Sequence, residues 1–163
     1  MIKTIPMNAS DLNQFSEQII RDAAFGMTFL AVILLSNTFF FIQIYFWFTR
    51  SCAKLQKVAP YQLIARFMAA VLLMSLVQLA SILIWTAAIY SKGLIDDIHL
   101  AMLFSGSCYT TLGVFSDILP DGWKSLAFYI AFSGLFSFAM ATSAMMSMLS
   151  VITKRLYKGP WGK

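Results

Sequence analysis

The sequence predicts an all-α membrane protein with three transmembrane helices, and a short helix and loop that dip into the membrane between the second and third. Three observations carry that prediction. The chain has 163 residues, 60% of them hydrophobic and only 12% charged, more apolar surface than a soluble domain of this size can bury. Three stretches, 24–48, 64–90 and 126–152, approach or exceed the ~20 apolar residues that cross a bilayer core. Between the second and third, Leu94, Ile95, Ile98 and the run Leu100–Phe104 give a short apolar helix pattern. Its length suits a re-entrant or interfacial helix better than a span.

The elements follow in chain order. Residues 1–23 form an external tail. Leu12, Phe15, Ile19 and Ile20 make an apolar stripe from Ala9 to Arg21, and Ser10 is a candidate cap for a helix that lies on the membrane surface or leads into span one. Span one (24–49) is rich in Phe, with Tyr45 and Trp47 near its inner end as an aromatic belt requires. It is too long for a signal peptide, and mixed charge precedes it, so it reads as a retained span. Asn37 and Gln43 are expected to hydrogen-bond a neighbouring helix. A basic loop (50–63) ends at Pro60, which suits the first turn of a helix. In the second span (64–90), Ser75, Gln78 and Ser81 form a stripe expected to face protein. The only charged residue in the three stretches is Arg66, near one end.

Charge sets the orientation. Arg50, Lys54, Lys57 and Arg66 flank the first connection, and Lys154, Arg155, Lys158 and Lys163 follow the third span. Asp96, Asp97, Asp117 and Asp121 outnumber Lys92 and Lys124 in the second connection, and Asp11, Glu17 and Asp22 offset Lys3 and Arg21 in the tail. Basic loops stay cytoplasmic. The N-terminus and the segment between spans two and three are then outside, and the tail at 153–163 is cytoplasmic. A multi-pass protein of the plasma (inner) membrane is expected. The positive balance reflects topology, not nucleic acid; an anionic-lipid site at Lys154–Lys158 is the alternative use of those charges.

In the third span (123–152), Ser133, Gly134, Ser137, Ala141, Ala144 and Ser147 recur at three- and four-residue spacing, beside Met140, Met145, Met146 and Met148. Small residues let helices cross closely, and a helix lining a water-filled cavity also favours them; the sequence is compatible with both.

The segment 95–118 carries the functional signal. Asp96 and Asp97 sit where acidic groups complement the start of a helix dipole. The helix is followed by a Thr/Gly-bearing turn and an exit through Asp117 and Pro120. Irregular backbone at membrane depth is tolerated only in protein or along a water-filled path. A helix entering from outside points its negative C-terminal end at the bilayer centre, where carbonyls and Thr hydroxyls can replace an ion's water shell.

Tyr109-Thr110-Thr111-Leu112-Gly113 resembles the first half of the selectivity signature of the potassium-channel pore-loop superfamily, Thr-Thr-Val-Gly-Tyr-Gly-Asp followed by a proline. Thr111, Leu112 and Gly113 match its Thr, Val and Gly, Asp117 its Asp, and Pro120 its Pro. The resemblance spans residues 95–150. It implies an outer helix at 64–90, a pore helix and filter at 95–118, an inner helix at 123–152 with Gly134 as its hinge, and span one as a peripheral helix. It also implies four chains around one axis, since one loop cannot surround an ion. The filter residues carried over are Thr110, Thr111, Leu112, Gly113, Val114, Phe115, Ser116 and Asp117. Met145, Met148 or Leu149 would form a hydrophobic gate, with Met as a core gap-filler the alternative.

The chain departs from the signature after Gly113, where Val114-Phe115-Ser116-Asp117 is one residue longer and lacks the second glycine. A left-handed Phe115 or Ser116 would cost about 1–2 kcal/mol, so a rebuilt outer filter is expected. The implied function is a tetrameric cation channel passing K+ and, with fewer coordinating oxygens, Na+. The alternative is a non-conducting subunit of the same fold that assembles with a partner. Its implied partners are its own copies and membrane lipids, with no cofactor beyond permeating cations. No paired carboxylates, catalytic triad or His cluster lies in the spans, which argues against an enzyme or a proton-coupled transporter. Cys52 and Cys108 fall on opposite sides of the membrane and lack metal-ligand spacing. His99, near the start of the short helix, is either a sensor of external pH or simply solvated.

Overall fold

The computed structural model describes residues 9–53, 60–113, 118–120 and 123–157. Four α-helices follow one another: α1 (Ala9–Ala53), α2 (Pro60–Ser91), α3 (Ile98–Tyr109) and α4 (Leu126–Tyr157). No strand occurs among the described residues. Three segments, Ala23–Ala53, Tyr61–Ser91 and Leu126–Leu156, are long and apolar enough to cross a membrane, at 31 residues each. With a rise of 1.5 Å per residue each is about 46 Å long, so both ends pass beyond a hydrocarbon core of ~30 Å.

α1 runs without a break from Ala9, so the amphipathic tail leads straight into span one. Ser10 lies inside this helix instead of before it. At the other end α1 extends past the predicted boundary at residue 49. Its last carbonyls have partners there: Arg66 Nη1 donates to Ser51 O, and Arg155 Nη1 donates to Cys52 O. Pro60 opens α2, as its missing N–H allows.

The spans pack in two tiers. In the first, Ile33 of α1, Trp85 and Ile89 of α2, and Leu126 and Ile130 of α4 enclose Ala101, Phe104, Cys108 and Tyr109 of α3. In the second, α3 is absent. Phe41, Phe48 and Cys52 of α1 meet Leu63, Ala70 and Met74 of α2 and Ala141, Met148 and Ile152 of α4. The pairing fixes the directions: α1 and α4 run parallel, with α2 antiparallel to both. α3 packs against both α2 and α4.

A polar layer joins the helices where the tiers meet. Asn37 Nδ2 donates to Ser137 Oγ at 2.8 Å, and Ser81 Oγ donates to Asn37 Oδ1 at 2.9 Å. Trp85 Nε1 donates to Ser133 Oγ at 2.9 Å. Each such bond between membrane helices contributes roughly 0.6 kcal/mol. The larger effect is positional, because these polar groups meet at one height only. Asn37 therefore pairs as its sequence predicted. Gln43 does not; it is exposed on the outer face of α1. On α2, Gln78 and Ser81 face inward, whereas Ser75 is exposed and donates to Val71 O at 3.0 Å.

Such back-bonding satisfies hydroxyls that face outward. Thr142 donates to Phe138 O at 2.8 Å, Ser147 to Ser143 O at 3.0 Å and Thr153 to Leu149 O at 2.9 Å. The small residues of α4 thus divide. Ser133, Gly134, Ser137 and Ala141 are buried between the helices, where they allow close crossings, and Ser147 is exposed.

Candidate functional site

The site is built on α3. Asp97 caps its N-terminus in an extended conformation, and Asp97 Oδ1 accepts the His99 N–H at 2.8 Å. A side-chain oxygen at this position satisfies an orphan N–H, and an acidic residue there suits the helix dipole. His99 itself is exposed. Inward, Ala101, Phe104, Ser105, Cys108 and Tyr109 are buried, whereas Met102 and Leu103 face outward.

The C-terminal end of α3 is fixed by a backbone contact. A Cβ on Gly134 would overlap the Tyr109 carbonyl oxygen and come within 3.2 Å of Tyr109 Cα. Only a residue without Cβ lets α4 approach α3 so closely. Tyr109 is fully buried and its ring lies 6.2 Å from that of Phe138. Its hydroxyl faces Asn37, Ser81 and Ser137 but makes no hydrogen bond of normal geometry. Gly134 lies nine residues into α4, so the end of α3 reaches well down the bundle. The expected hinge glycine is a packing point, closed in by backbone.

Beyond Tyr109 the chain folds back on the helix. Thr111 N–H donates to Cys108 O at 2.9 Å, and Leu112 N–H donates to Ser107 O at 2.8 Å. This pair of bonds is the Schellman arrangement, in which the residue after the cap is left-handed and normally Gly. Here it is Thr111, with φ 60°. A β-branched residue in that region is uncommon and costs about 1–2 kcal/mol. Gly113 N–H also donates to Ser107 O, at 3.2 Å, and Gly113 has φ 64°. The left-handed non-glycine residue is Thr111, four positions before Phe115; the expected rebuilding at Phe115 and Ser116 lies outside the described residues.

Thr110, Thr111, Leu112 and Gly113 are all exposed, Leu112 by 72%. Among the described residues, the carbonyls of Thr111, Leu112 and Gly113 accept no hydrogen bond, whereas Thr110 O accepts from Thr111 Oγ1 at 2.6 Å. Val114, Phe115, Ser116 and Asp117 lie outside the described residues. The chain resumes with Leu119 buried in the first tier and Pro120 O accepting from Trp123 N at 3.1 Å.

Two open grooves flank this turn. One, about 710 Å³, lies between α2 and α3; its lining is almost wholly apolar and includes Leu79, Leu83, Met102, Leu103, Thr110 and Leu112. The other, about 360 Å³, separates the turn from the start of α4 and is lined by residues including Cys108, Thr111, Gly113, Lys124 and Phe128.

The gate candidates are spread over α4. Met148 is 0% exposed and belongs to the second-tier core, so it fills space within the chain's own bundle. Met145 packs partly against the same core, and Leu149 is 45% exposed. Cys52 and Cys108 are free, buried and in different tiers, and no group of His, Cys, Asp or Glu suited to a metal occurs among the described residues. Sequence reasoning missed the partners of Tyr109 and the shared anchoring of Arg66 and Arg155. A buried Tyr immediately before Thr-Thr is only an aromatic residue in an apolar run until Gly134 is brought beside it. No family model, curated protein or solved structure matches this chain.

Proposed function

We propose that the chain is a potassium-channel-like cation channel in which four copies surround one conducting axis. One observation carries this reading: the exposed Thr110–Gly113 turn sits on the outward side of a helix whose C-terminal end reaches Gly134, well inside α4. Backbone carbonyls without partners facing lipid at that depth would be costly, and those of Thr111, Leu112 and Gly113 accept no hydrogen bond among the described residues. Facing a shared water-filled path, the same carbonyls coordinate a partly dehydrated cation, and the C-terminal end of α3 contributes negative potential. A left-handed Thr111 in place of glycine fits a segment held for its function at the expense of stability. In this reading α3 is a re-entrant pore helix, α4 is the inner helix, and the two grooves receive neighbouring copies. Of the gate candidates, Leu149 is the one whose exposure suits an axis. K+ is the expected permeant ion and Na+ the expected competitor, because the described turn supplies few oxygens.

A second reading has its own observation. Ser107 and Cys108, the carbonyls that would direct the helix's negative end at an ion, are occupied by the N–H groups of Thr111, Leu112 and Gly113. A turn folded back in this way suits a closed filter or a non-conducting subunit that uses the same fold for assembly. Ion flux in liposomes containing only the purified protein separates the readings. Gradients of K+, Na+ and Ca2+ are compared, with Thr111→Ala alongside and the mass of the purified complex measured. Flux that depends on the cation and changes in the variant supports the channel. A complex of other than four chains, or no flux in either protein, supports the assembly subunit.

A further inference from the structure

The end of the bundle opposite α3 has an unusual charge arrangement. Eight of the twelve Lys and Arg residues (Arg50, Lys54, Lys57, Arg66, Lys154, Arg155, Lys158 and Lys163) belong in sequence to this end, and none of the seven acids does. Two of the eight are held together. Arg66 from α2 and Arg155 from α4 each use Nη1 to hydrogen-bond consecutive carbonyls, Ser51 O and Cys52 O, at the last turn of α1. Both guanidinium groups are near enough to Cys52 to act on it electrostatically. Arg66 is half-buried and Arg155 is exposed.

Two like charges on adjacent carbonyls repel, and the partial charge of a helix C-terminus, about half an electron, offsets only part of the excess. The described residues include no carboxylate that pairs with either. A guanidinium carries five N–H donors, so each retains further donors after its Nη1 bond. Anchoring also removes much of the rotamer freedom that a long side chain loses on binding. Ser51 is 28 residues beyond Ala23, about 42 Å along the helix, which lies in the headgroup layer of a bilayer whose core is ~30 Å thick.

We propose that Arg66 and Arg155, fixed on the end of α1, form a binding site for the phosphate of an anionic phospholipid in the leaflet at the basic end. The forked donors of two guanidinium groups match a phosphodiester, and the membrane supplies that anion at this height. The site depends on the chain spanning a bilayer and is independent of whether it conducts. Its occupant would tie α1, α2 and α4 together at the tier that lacks α3.

Native mass spectrometry of the full chain in detergent, titrated with phosphatidylglycerol or phosphatidylcholine, tests the site. Phosphatidylglycerol should be retained in preference to phosphatidylcholine. R66K/R155K, which keeps both charges and loses the forks, should weaken phosphatidylglycerol binding about tenfold, the loss expected for charge-assisted bonds. R50Q/K154Q removes two charges at the same end without touching the pair and should leave binding within about twofold, because exposed charges act weakly. If the double Arg variant does not fold, R155K alone, at the exposed position, should show the same direction. Unchanged binding in the Lys variants overturns the proposal. An equal loss in R50Q/K154Q assigns binding to the diffuse positive field and also overturns it. Displacement of the lipid by millimolar inorganic phosphate would make the ligand a free anion and overturn the lipid assignment.

Discussion

The two tiers of the bundle use the same three helices in different ways. In the tier that holds α3, the spans part to admit a fourth element. The space is filled by aromatic groups such as Phe29 and Trp85, whose ring centroids are 5.2 Å apart, and by hydroxyl and amide groups at its floor. In the opposite tier the spans meet directly through Ala70, Ala141, Met74 and Met148, and the polar groups move to the rim as Arg66 and Arg155. One tier thus carries the exposed Thr110–Gly113 turn beside the spans, and in the other the helices pack directly on one another. The contrast teaches that, among the described residues, the turn that follows α3 belongs to one half of the bundle, on the α3 side of the polar layer.

That division can be broken most forcefully at Gly134. Gly134→Val places a side chain against the Tyr109 carbonyl, with backbone on both sides and no flexible group to yield. Stability in detergent should fall by about 3 kcal/mol or more, and a thermal-unfolding scan checks this. Gly26→Ala is the comparison, because there an added Cβ would meet only the side chain of Tyr129 and no backbone, and a side chain can shift; a smaller loss of about 1 kcal/mol is expected. An unfolding midpoint for Gly134→Val equal to that of Gly26→Ala would mean that α3 and α4 part easily.

Met148→Ala tests the direct-contact tier. Removing a fully buried Met should cost about 2–3 kcal/mol and, if the chain conducts, leave ion preference in liposome flux unchanged. A change in conduction without loss of stability would place Met148 at a gate after all. At the boundary, Asn37→Ala strips two inter-helix bonds and should cost about 1–2 kcal/mol. Thr111→Gly is expected to have the smallest effect on stability and the opposite sign. It relieves the left-handed threonine and should raise the unfolding midpoint by the equivalent of about 1 kcal/mol. If the turn conducts, loss of the hydroxyl should also alter selectivity. A lowered midpoint would show that Thr111 contributes more through its side chain than its backbone geometry costs.

Legibility in the sequence follows the range of the interaction. The spans were readable because a bilayer imposes a length and a polarity on any continuous helix. The start of α3 was readable to about one turn: the apolar pattern begins at Leu94, and the helix begins at Ile98, where Asp97 accepts an N–H two residues away. The end of α3 was not, since a threonine in a left-handed cap contradicts local preference and is explained only by what lies beyond it. Asn37 was identifiable as a pairing residue, but not Ser137 as its partner, a hundred positions distant. Met148 and Leu149 are adjacent in sequence and alike in chemistry, and only the packing of α1 and α2 around α4 tells the buried one from the exposed one. Arg66 and Arg155 read as topology charges until the end of α1 is brought between them.

The Asn37–Ser137 bond and the Gly134 contact lie within one turn of each other on α4, and this has a mechanical result. If α4 tilts about Ser137, the arm to Tyr157 is 20 residues, about 30 Å, and the arm to Gly134 is three residues, about 4.5 Å. A swing of about 7 Å at the basic end therefore displaces the Tyr109 contact by only about 1 Å. Such a tilt would leave the Thr110–Gly113 turn nearly stationary, and it would first have to break the Arg155 bond to Cys52 O and the Met148 and Ile152 contacts at the far end.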